Sequence, residues 1–357
     1  MVTAPFARSD THEQVVFARD DDVGLRCIIA IHSTRLGPSL GGTRFRSYAS
    51  EDEALTDVLR LSQAMTLKSA CAGIDHGGGK SVIIGDPAEL RSEALLRAFG
   101  RVIESLGGRY TAACDIGTTP ADMALINRET RWVTGADEAE GGSGDSGVLT
   151  AYGLFLAMQA TAEATFGSTS LAGRHIAVQG LGKVGGRLVE HMVEDGAKVT
   201  VADVSAAAVD RASDLRGVEV VPVDDILEVD ADIVSPNALG GVLNEHSIPA
   251  LHAVAVCGGA NNQLATPEDA ERLHDRGILY APDFVVNSGG VISVADELHP
   301  HGRSPARARQ RASAIPATLR NIIEVSRADG ITTDAAAERV AQQRIAAVGG
   351  LRSFWLP

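Results

Sequence analysis

The chain carries 32 lysine and arginine side chains, of which only four are lysine: Lys68, Lys80, Lys183 and Lys198. Arginine keeps its proton in any protein environment, whereas a partly desolvated lysine can release one near neutrality. Where lysine persists in so arginine-biased a chain, lysine-specific chemistry is the reading to test. Lys68 sits among apolar and small residues in Met65-Thr-Leu-Lys-Ser-Ala-Cys71. Lys80 follows Gly77-Gly78-Gly79, where the missing side chains let another backbone or a ligand come close. Two ammonium groups brought together and partly desolvated would push one toward neutrality. One could then hold a carboxylate while the other works as a general base. Asp115 follows the strand-like Tyr110–Cys114 and precedes Ile-Gly-Thr-Thr. That is a strand-end carboxylate, suited to moving a proton, although an Asx turn or a helix cap is the plainer alternative.

A second constellation lies further along. His175-Ile-Ala-Val-Gln179 reads as a short strand running into Gly180-Leu181-Gly182-Lys183-Val184-Gly185 and then a helix. A G-x-G-x-x-G run is informative only between a strand and a helix, which is its setting here. Gly180 would permit the tight turn, Gly182 the approach of backbone to a pyrophosphate, and Gly185 close packing of helix on strand. The helix N-terminus would offer free N–H groups and a positive dipole to the phosphates. Asp203 ends the next strand, 18 residues after Gly185, where a carboxylate can accept from ribose hydroxyls and repel a 2′-phosphate. Nothing basic lies between Val204 and Asp210 to favour a phosphorylated ribose. The expected cofactor is NAD. Lys183, in a variable slot of the motif, is expected to face solvent.

These residues need elements to position them. Leu25–Ile31 reads as a buried strand, followed by a Gly/Pro-rich loop, Gly37-Pro-Ser-Leu-Gly-Gly42. Glu51 to Ala72 has helical spacing, with Ser50 as N-cap and Glu53 completing a capping box. Gly73 to Lys80 reads as a glycine loop before a strand at Ser81–Ile84, and Ser92 to Leu106 as a helix. Gly141 to Gly147 looks like a hinge. Beyond a long helical pattern from Val148 to Phe166, strands alternate with helices, His175–Gln179, Val184–Asp195 and Lys198–Asp203, and further apolar runs follow at Ile233–Ser235, Ala253–Cys257 and Ile278–Val286. Such alternation implies a doubly wound parallel sheet. The expected fold is therefore α/β in two domains: an N-terminal α/β substrate domain over 1–140 and a Rossmann dinucleotide domain over 141–303. Helices over 304–357 are expected to pack back on the first domain.

The 357 residues suffice for two domains, and the net charge of −14 argues against nucleic acid or an anionic membrane as partner. No apolar run is long enough to span a bilayer. Met1 to Asp10 lacks the basic-then-apolar pattern of a secretion leader. Cys27, Cys71, Cys114 and Cys257 form no C-x-x-C pair, and the expected setting is a reducing cytoplasm. No metal site is expected.

Leu36-Gly-Pro-Ser-Leu-Gly-Gly-Thr-Arg44, Gly77-Gly-Gly-Lys80, Asp115-Ile-Gly-Thr, Gly259-Ala-Asn-Asn262 and Ala281-Pro-Asp-Phe-Val-Val-Asn-Ser-Gly-Gly290 occur in this order along nearly the whole chain. The set resembles the glutamate/leucine/phenylalanine/valine dehydrogenases, and among them the bacterial leucine and valine enzymes. The resemblance implies reversible oxidative deamination of an L-amino acid to a 2-oxo acid and ammonia. It implies that Lys68 binds the substrate carboxylate with help from Gly41, Gly42 and Asn287. Lys80 would then be the general base that activates water, and Asp115 the proton shuttle. Thr150 and Asn261 would contact the nicotinamide end, and Leu40, Ala113, Val291 and Val294 would line an apolar side-chain pocket. It also implies a homo-oligomer, a dimer or an octamer. Two positions depart from the pattern: Ser288 stands where alanine is usual, and Asn237 where cysteine is frequent. Valine, leucine and isoleucine are the expected substrates, with phenylalanine as alternative.

Gly79-Lys80-Ser81 mimics the end of a phosphate-binding loop, but the glycine required five places before Gly79 is Ile74, and the strand follows the loop instead of preceding it. A catalytically silent NAD-binding sensor would have no use for Lys68, Lys80 and Asp115 together.

Overall fold

The structure is a computed structural model and describes Ser9 and residues 11–351. The leader reading of Met1 to Asp10 thus falls, Ser9 apart, outside the described residues. The chain divides into two compact units. The first holds the residues up to Asp145, Ser293–Pro305 and the residues from Ala341 on; the second holds Ser146–Ile292 and Ala306–Val340.

The first unit is built on a five-stranded sheet in the order β1-β2-β4-β3-β5. Its strands are β1 (Gln14–Asp20), β2 (Leu25–Ser33), β3 (Ser39–Arg46), β4 (Gly77–Ile84) and β5 (Tyr110–Cys114). β3 runs parallel to both β4 and β5, while β1–β2 and β2–β4 are antiparallel. Helix α1 (Glu51–Cys71) covers one face, packing Ala54, Val58 and Leu59 on Ile28, Ala30 and Val82. Helices α2 (Glu93–Glu104) and α3 (Pro120–Ile126) cover the other, where Phe99, Ile103 and Met123 meet Ile29, Phe45 and Tyr110. Strand residues of alternating parity therefore serve two separate cores. Ser50 caps α1 by accepting from the Glu53 N–H, but the Glu53 carboxylate accepts from Ala49 instead of closing the box on Ser50.

Two glycine-rich stretches expected to be loops are strands. Gly77-Gly78-Gly79 opens β4, and Leu40-Gly41-Gly42 lies within β3. Their glycines answer to crowding. A Cβ on Gly78 would stand 2.1 Å from Thr66 Oγ1 and 2.2 Å from Thr66 N of α1. One on Gly79 would stand 2.7 Å from the Tyr110 ring, and one on Gly41 1.7 Å from the Gly79 carbonyl oxygen.

The second unit carries a six-stranded sheet in the order β11-β10-β9-β6-β7-β8. These strands are β6 (His175–Gln179), β7 (Lys198–Ala202), β8 (Val218–Val220), β9 (Ile233–Pro236), β10 (Ala255–Val256) and β11 (Leu279–Tyr280). Every pairing is parallel. This is the doubly wound Rossmann order, with the chain reversing direction across the sheet between β7 and β9 on either side of β6. Helix α4 (Gly147–Phe166) precedes the sheet, and α5 (Gly185–Glu194) follows β6.

The tail does not behave as one piece. Helix α6 (Ile315–Asp329) packs on α4, where Arg320 donates to Glu163 at 2.6 Å. Helix α7 (Thr333–Gly349) passes from the second unit into the first, where Arg344 donates to Asp75 at 2.7 Å. Among the described residues no helix is long and apolar enough to cross a membrane.

Candidate active site

The register of the first sheet gathers most of the candidate residues. Leu40, Gly42 and Arg44 of β3, Gly78 and Lys80 of β4, and Ala113 of β5 fall on the face covered by α1, which itself carries Lys68 near its last turn. Asp115, just past β5, closes an ion pair with Lys80. The Asp115 side chain is 19% exposed and that of Lys80 9%. Gly42 is a necessity of this pair: a Cβ there would stand 2.8 Å from Asp115 Cβ and 3.2 Å from Lys80 Nζ.

Arg44 approaches the same carboxylate. Its Nε lies 3.4 Å from Asp115 Oδ2, while its Nη1 donates to Asp57 Oδ1 and Oδ2 at 3.2 and 3.0 Å. Asp57 also accepts from the Tyr48 hydroxyl at 2.8 Å. Burial alone would raise the Asp115 pKa, but Lys80 and Arg44 outweigh it and hold the carboxyl below its ordinary range. The sequence reading missed this role of Arg44 and Asp57. Arg44 ends the Leu36–Arg44 stretch, but its alignment with Asp115 depends on strand register.

A buried hydroxyl lattice fixes the three strands from behind. The Tyr110 hydroxyl donates to the Gly41 carbonyl at 2.9 Å and lies 2.8 Å from Ser81 Oγ, which donates to Thr43 Oγ1 at 2.9 Å. Thr118 pins the turn after β5, accepting from the Asp115 N–H at 2.9 Å and donating to the Thr43 carbonyl at 2.9 Å. Asp115 is thus neither an Asx turn nor a helix cap; Thr119 caps α3. The apolar candidates Leu40 and Ala113 are buried, as is Val291, and Val294 is half-buried.

In the second unit the glycine motif occupies the carboxyl end of β6. Gly180 has φ +94°, open to glycine at little cost. A Cβ on Gly185 would stand 2.0 Å from the Gly180 carbonyl oxygen, whereas one on Gly182 meets no heavy atom within 4 Å. Helix α5 starts without a side-chain cap, and although the Gly186 N–H donates to the Gly182 carbonyl at 3.0 Å, the positive end of the helix dipole faces the turn and favours an anion there. Lys183 is exposed. Asp203 reaches back to this turn: Oδ2 accepts from the Leu181 N–H at 2.5 Å and Oδ1 from the Ser205 N–H at 2.7 Å. Open space over Gly182, an uncapped helix and a carboxylate beside the turn suit a dinucleotide.

Other candidates meet nearby in the chain. Asn287 Nδ2 donates to Asn261 Oδ1 at 2.8 Å and to the Gly259 carbonyl at 3.2 Å, leaving its own Oδ1 buried and without a partner. Thr150 bonds back to Ser146 at 2.9 Å and lies against Gly290, whose Cβ would be 3.2 Å from the hydroxyl. The two departures from the family pattern have local explanations. Ser288 turns its hydroxyl to the Val285 carbonyl at 2.7 Å, and Asn237 ties Ser235 to the Gly259 N–H, which it accepts at 2.8 Å. Burial pushes the thiols of Cys27, Cys71, Cys114 and Cys257 up to about 12, so none serves as a nucleophile near neutrality.

Residues 12–132 match the Glu/Leu/Phe/Val dehydrogenase dimerisation domain, and 141–213 with 207–348 match the Glutamate/Leucine/Phenylalanine/Valine dehydrogenase model. A valine dehydrogenase of Streptomyces virginiae is 53% identical, covering 94% of each chain. A leucine dehydrogenase of Bacillus cereus is 48% identical over 97% of this chain and 94% of its own. The crystal structure of L-tryptophan dehydrogenase from Nostoc punctiforme superposes with a TM-score of 0.84 at 40% identity, covering 96% of this chain and 98% of that one. The chain belongs to the glutamate/leucine/phenylalanine/valine dehydrogenase family and is an amino-acid dehydrogenase.

Proposed function

We propose that the chain catalyses the reversible, NAD-dependent oxidative deamination of a branched-chain L-amino acid, valine, leucine or isoleucine. The observation that carries this is the buried Lys80–Asp115 pair beside Gly42, on a sheet face that also bears Leu40 and Ala113. In this reading Lys68 holds the substrate carboxylate. The bound nicotinamide would accept the hydride leaving the substrate Cα. Lys80 takes a proton from the water that attacks the resulting iminium carbon. Asp115, anionic at rest beside its two cations, stabilises the iminium charge, receives that proton from Lys80 and delivers it to the amino nitrogen of the carbinolamine, whose hydroxyl returns a proton to Lys80 as ammonia departs. The products are a 2-oxo acid and ammonium. Gly180, Leu181, Gly182, Val184, Gly185 and Asp203 would hold the dinucleotide, and Thr150 and Asn261 would face its reactive end.

Selectivity for NAD rests on Asp203. Its carboxylate, beside the Leu181 N–H, favours ribose hydroxyls and repels a 2′-phosphate, and Val204–Asp210 supplies no cation. The substrate class rests on Leu40, Ala113, Val291 and Val294. None offers a partner to a second carboxylate, and burying one unpaired costs several kcal/mol, roughly 2–7 for a polar group and more for a charge. The identity to valine and leucine dehydrogenases supports the same class. An aromatic substrate is the second reading, favoured by the likeness to the tryptophan enzyme. We further propose a cytoplasmic homo-oligomer, in keeping with the match of 12–132 to a dimerisation domain. The test is a panel of specificity constants for valine, leucine, isoleucine, phenylalanine, tryptophan and glutamate with NAD and NADP. The branched-chain residues with NAD should lead; an aromatic residue or glutamate in first place overturns the pocket reading, and equal use of NADP overturns the role of Asp203.

A further inference from the structure

We propose that Arg44, clamped by Asp57, is a positioning residue that keeps Asp115 charged and aligned on Lys80, an inference that rests on reading Lys80 as the base. Three observations carry it. Arg44 Nε and Lys80 Nζ converge on the same oxygen, Asp115 Oδ2. Arg44 Nε is buried and has no hydrogen-bond partner, so it faces Asp115 at 3.4 Å as a charge, not as a donor in a closed bond. The guanidinium cannot close that gap, because its Nη1 is bonded to both oxygens of Asp57, which the Tyr48 hydroxyl braces in turn.

The consequence is asymmetric. Asp115 is flanked by one cation that never deprotonates and one that can. When Lys80 gives up its proton, Arg44 remains to compensate the carboxylate, which stays anionic and in place. When Lys80 is protonated, Arg44 repels it across the shared oxygen. Asp57, on the far side of Arg44, partly neutralises that repulsion and sets its strength.

The other ionisable groups facing the pair are few. Tyr110 and Cys114 of β5 are held in their neutral forms by burial, Tyr48 by burial and by Asp57, and Lys68 lies farther along α1. The carboxylates that act on Cys114 are Asp122, Glu297, Asp115 and Asp137.

The test exploits the four lysines of the chain, whose labelling is assigned residue by residue by fragmentation mass spectrometry, since Lys68 and Lys80 lie between the same two arginines, Arg60 and Arg91. The full-length protein is labelled competitively with acetic anhydride across pH, and the midpoint for Lys80 is read directly, with no substrate present. In Arg44→Gln the midpoint should rise by roughly one pH unit, since a like charge near the ammonium has gone. In Asp57→Asn it should move the opposite way, since Arg44 loses its counter-charge. Arg44→Lys should restore most of the wild-type midpoint. The acid limb of the pH profile of kcat/KM for deamination, where the base must lose its proton, should follow the same order. Asp57→Asn keeps the test decisive if Arg44→Gln does not fold. Midpoints that stay put in both variants, or move in the same direction, overturn the inference. A Lys80→Ala enzyme with full turnover would instead sink the assignment of the base, leaving the labelling result intact.

Discussion

Replacing Gly182 by alanine separates the demands of the cofactor from those of the fold. An alanine Cβ there meets no heavy atom within 4 Å, and the residue is not among those with positive φ. The folded state therefore accommodates the methyl, and the lost freedom of the unfolded chain should stabilise the protein by about 0.4–1 kcal/mol. The same methyl would occupy the space through which a pyrophosphate must approach the turn before α5. Losing one hydrogen bond to a charged group costs about 1.5–3 kcal/mol. At about 1.4 kcal/mol per factor of ten, NAD should bind roughly 10–150-fold more weakly. Calorimetric titration with NAD, alongside scanning calorimetry of the free protein, reads both quantities. The expected result is weaker binding at an unchanged or slightly higher Tm. Unchanged NAD affinity would refute the placement of the pyrophosphate. Gly185→Ala provides the contrast, because its Cβ would stand 2.0 Å from the Gly180 carbonyl oxygen and should lower Tm.

Three further outcomes are expected. Lys80→Ala should lower turnover by about 10²–10⁴-fold, the usual range for removing a general base, while NAD titration stays near wild type; retained turnover would refute its role. Gly78→Ala forces a Cβ to within 2.2 Å of the α1 backbone at Thr66, and such overpacking costs about 1–3 kcal/mol, measurable as a lower Tm; an unshifted Tm would contradict the packing described. Asp334 is raised to about 7 by burial and by the neighbouring Asp283 and Glu338. The native state then holds a proton that the unfolded chain releases at its ordinary value, so this residue's contribution to stability falls as pH rises from about 4 to 7. Asp334→Asn should accordingly melt higher than wild type at pH about 8 and gain nothing below pH about 4. Parallel melting at both pH values would contradict the burial of that carboxyl.

The parts of the site legible in the sequence were those set by local chemistry. The Gly180–Gly185 turn and Asp203 could be read because strand, turn and helix follow one another directly. Lysine scarcity singled out Lys80, and the strand-end position singled out Asp115. What escaped was set by register and crowding. Gly77–Gly79 and Gly41–Gly42 read as loops because glycine usually marks one, yet here it thins two strands so that α1 and Tyr110 can press against them. Arg44 and Asp57 are 13 residues apart on a strand and a helix, and only their common face brings them to Asp115. In the sequence Asn237 stood out only as a departure from the family pattern, but its side chain bridges Ser235 and Gly259 at the end of β9.

The central claim is tested most directly by the balance of one incubation of the protein with L-valine and NAD. Reduced cofactor is followed by absorbance, ammonium by a coupled assay, and the organic product by mass spectrometry. Reduced cofactor, ammonium and the 2-oxo acid of valine should appear in equal amounts. Cofactor binding with no reduction, or reduction without release of ammonium, would contradict it.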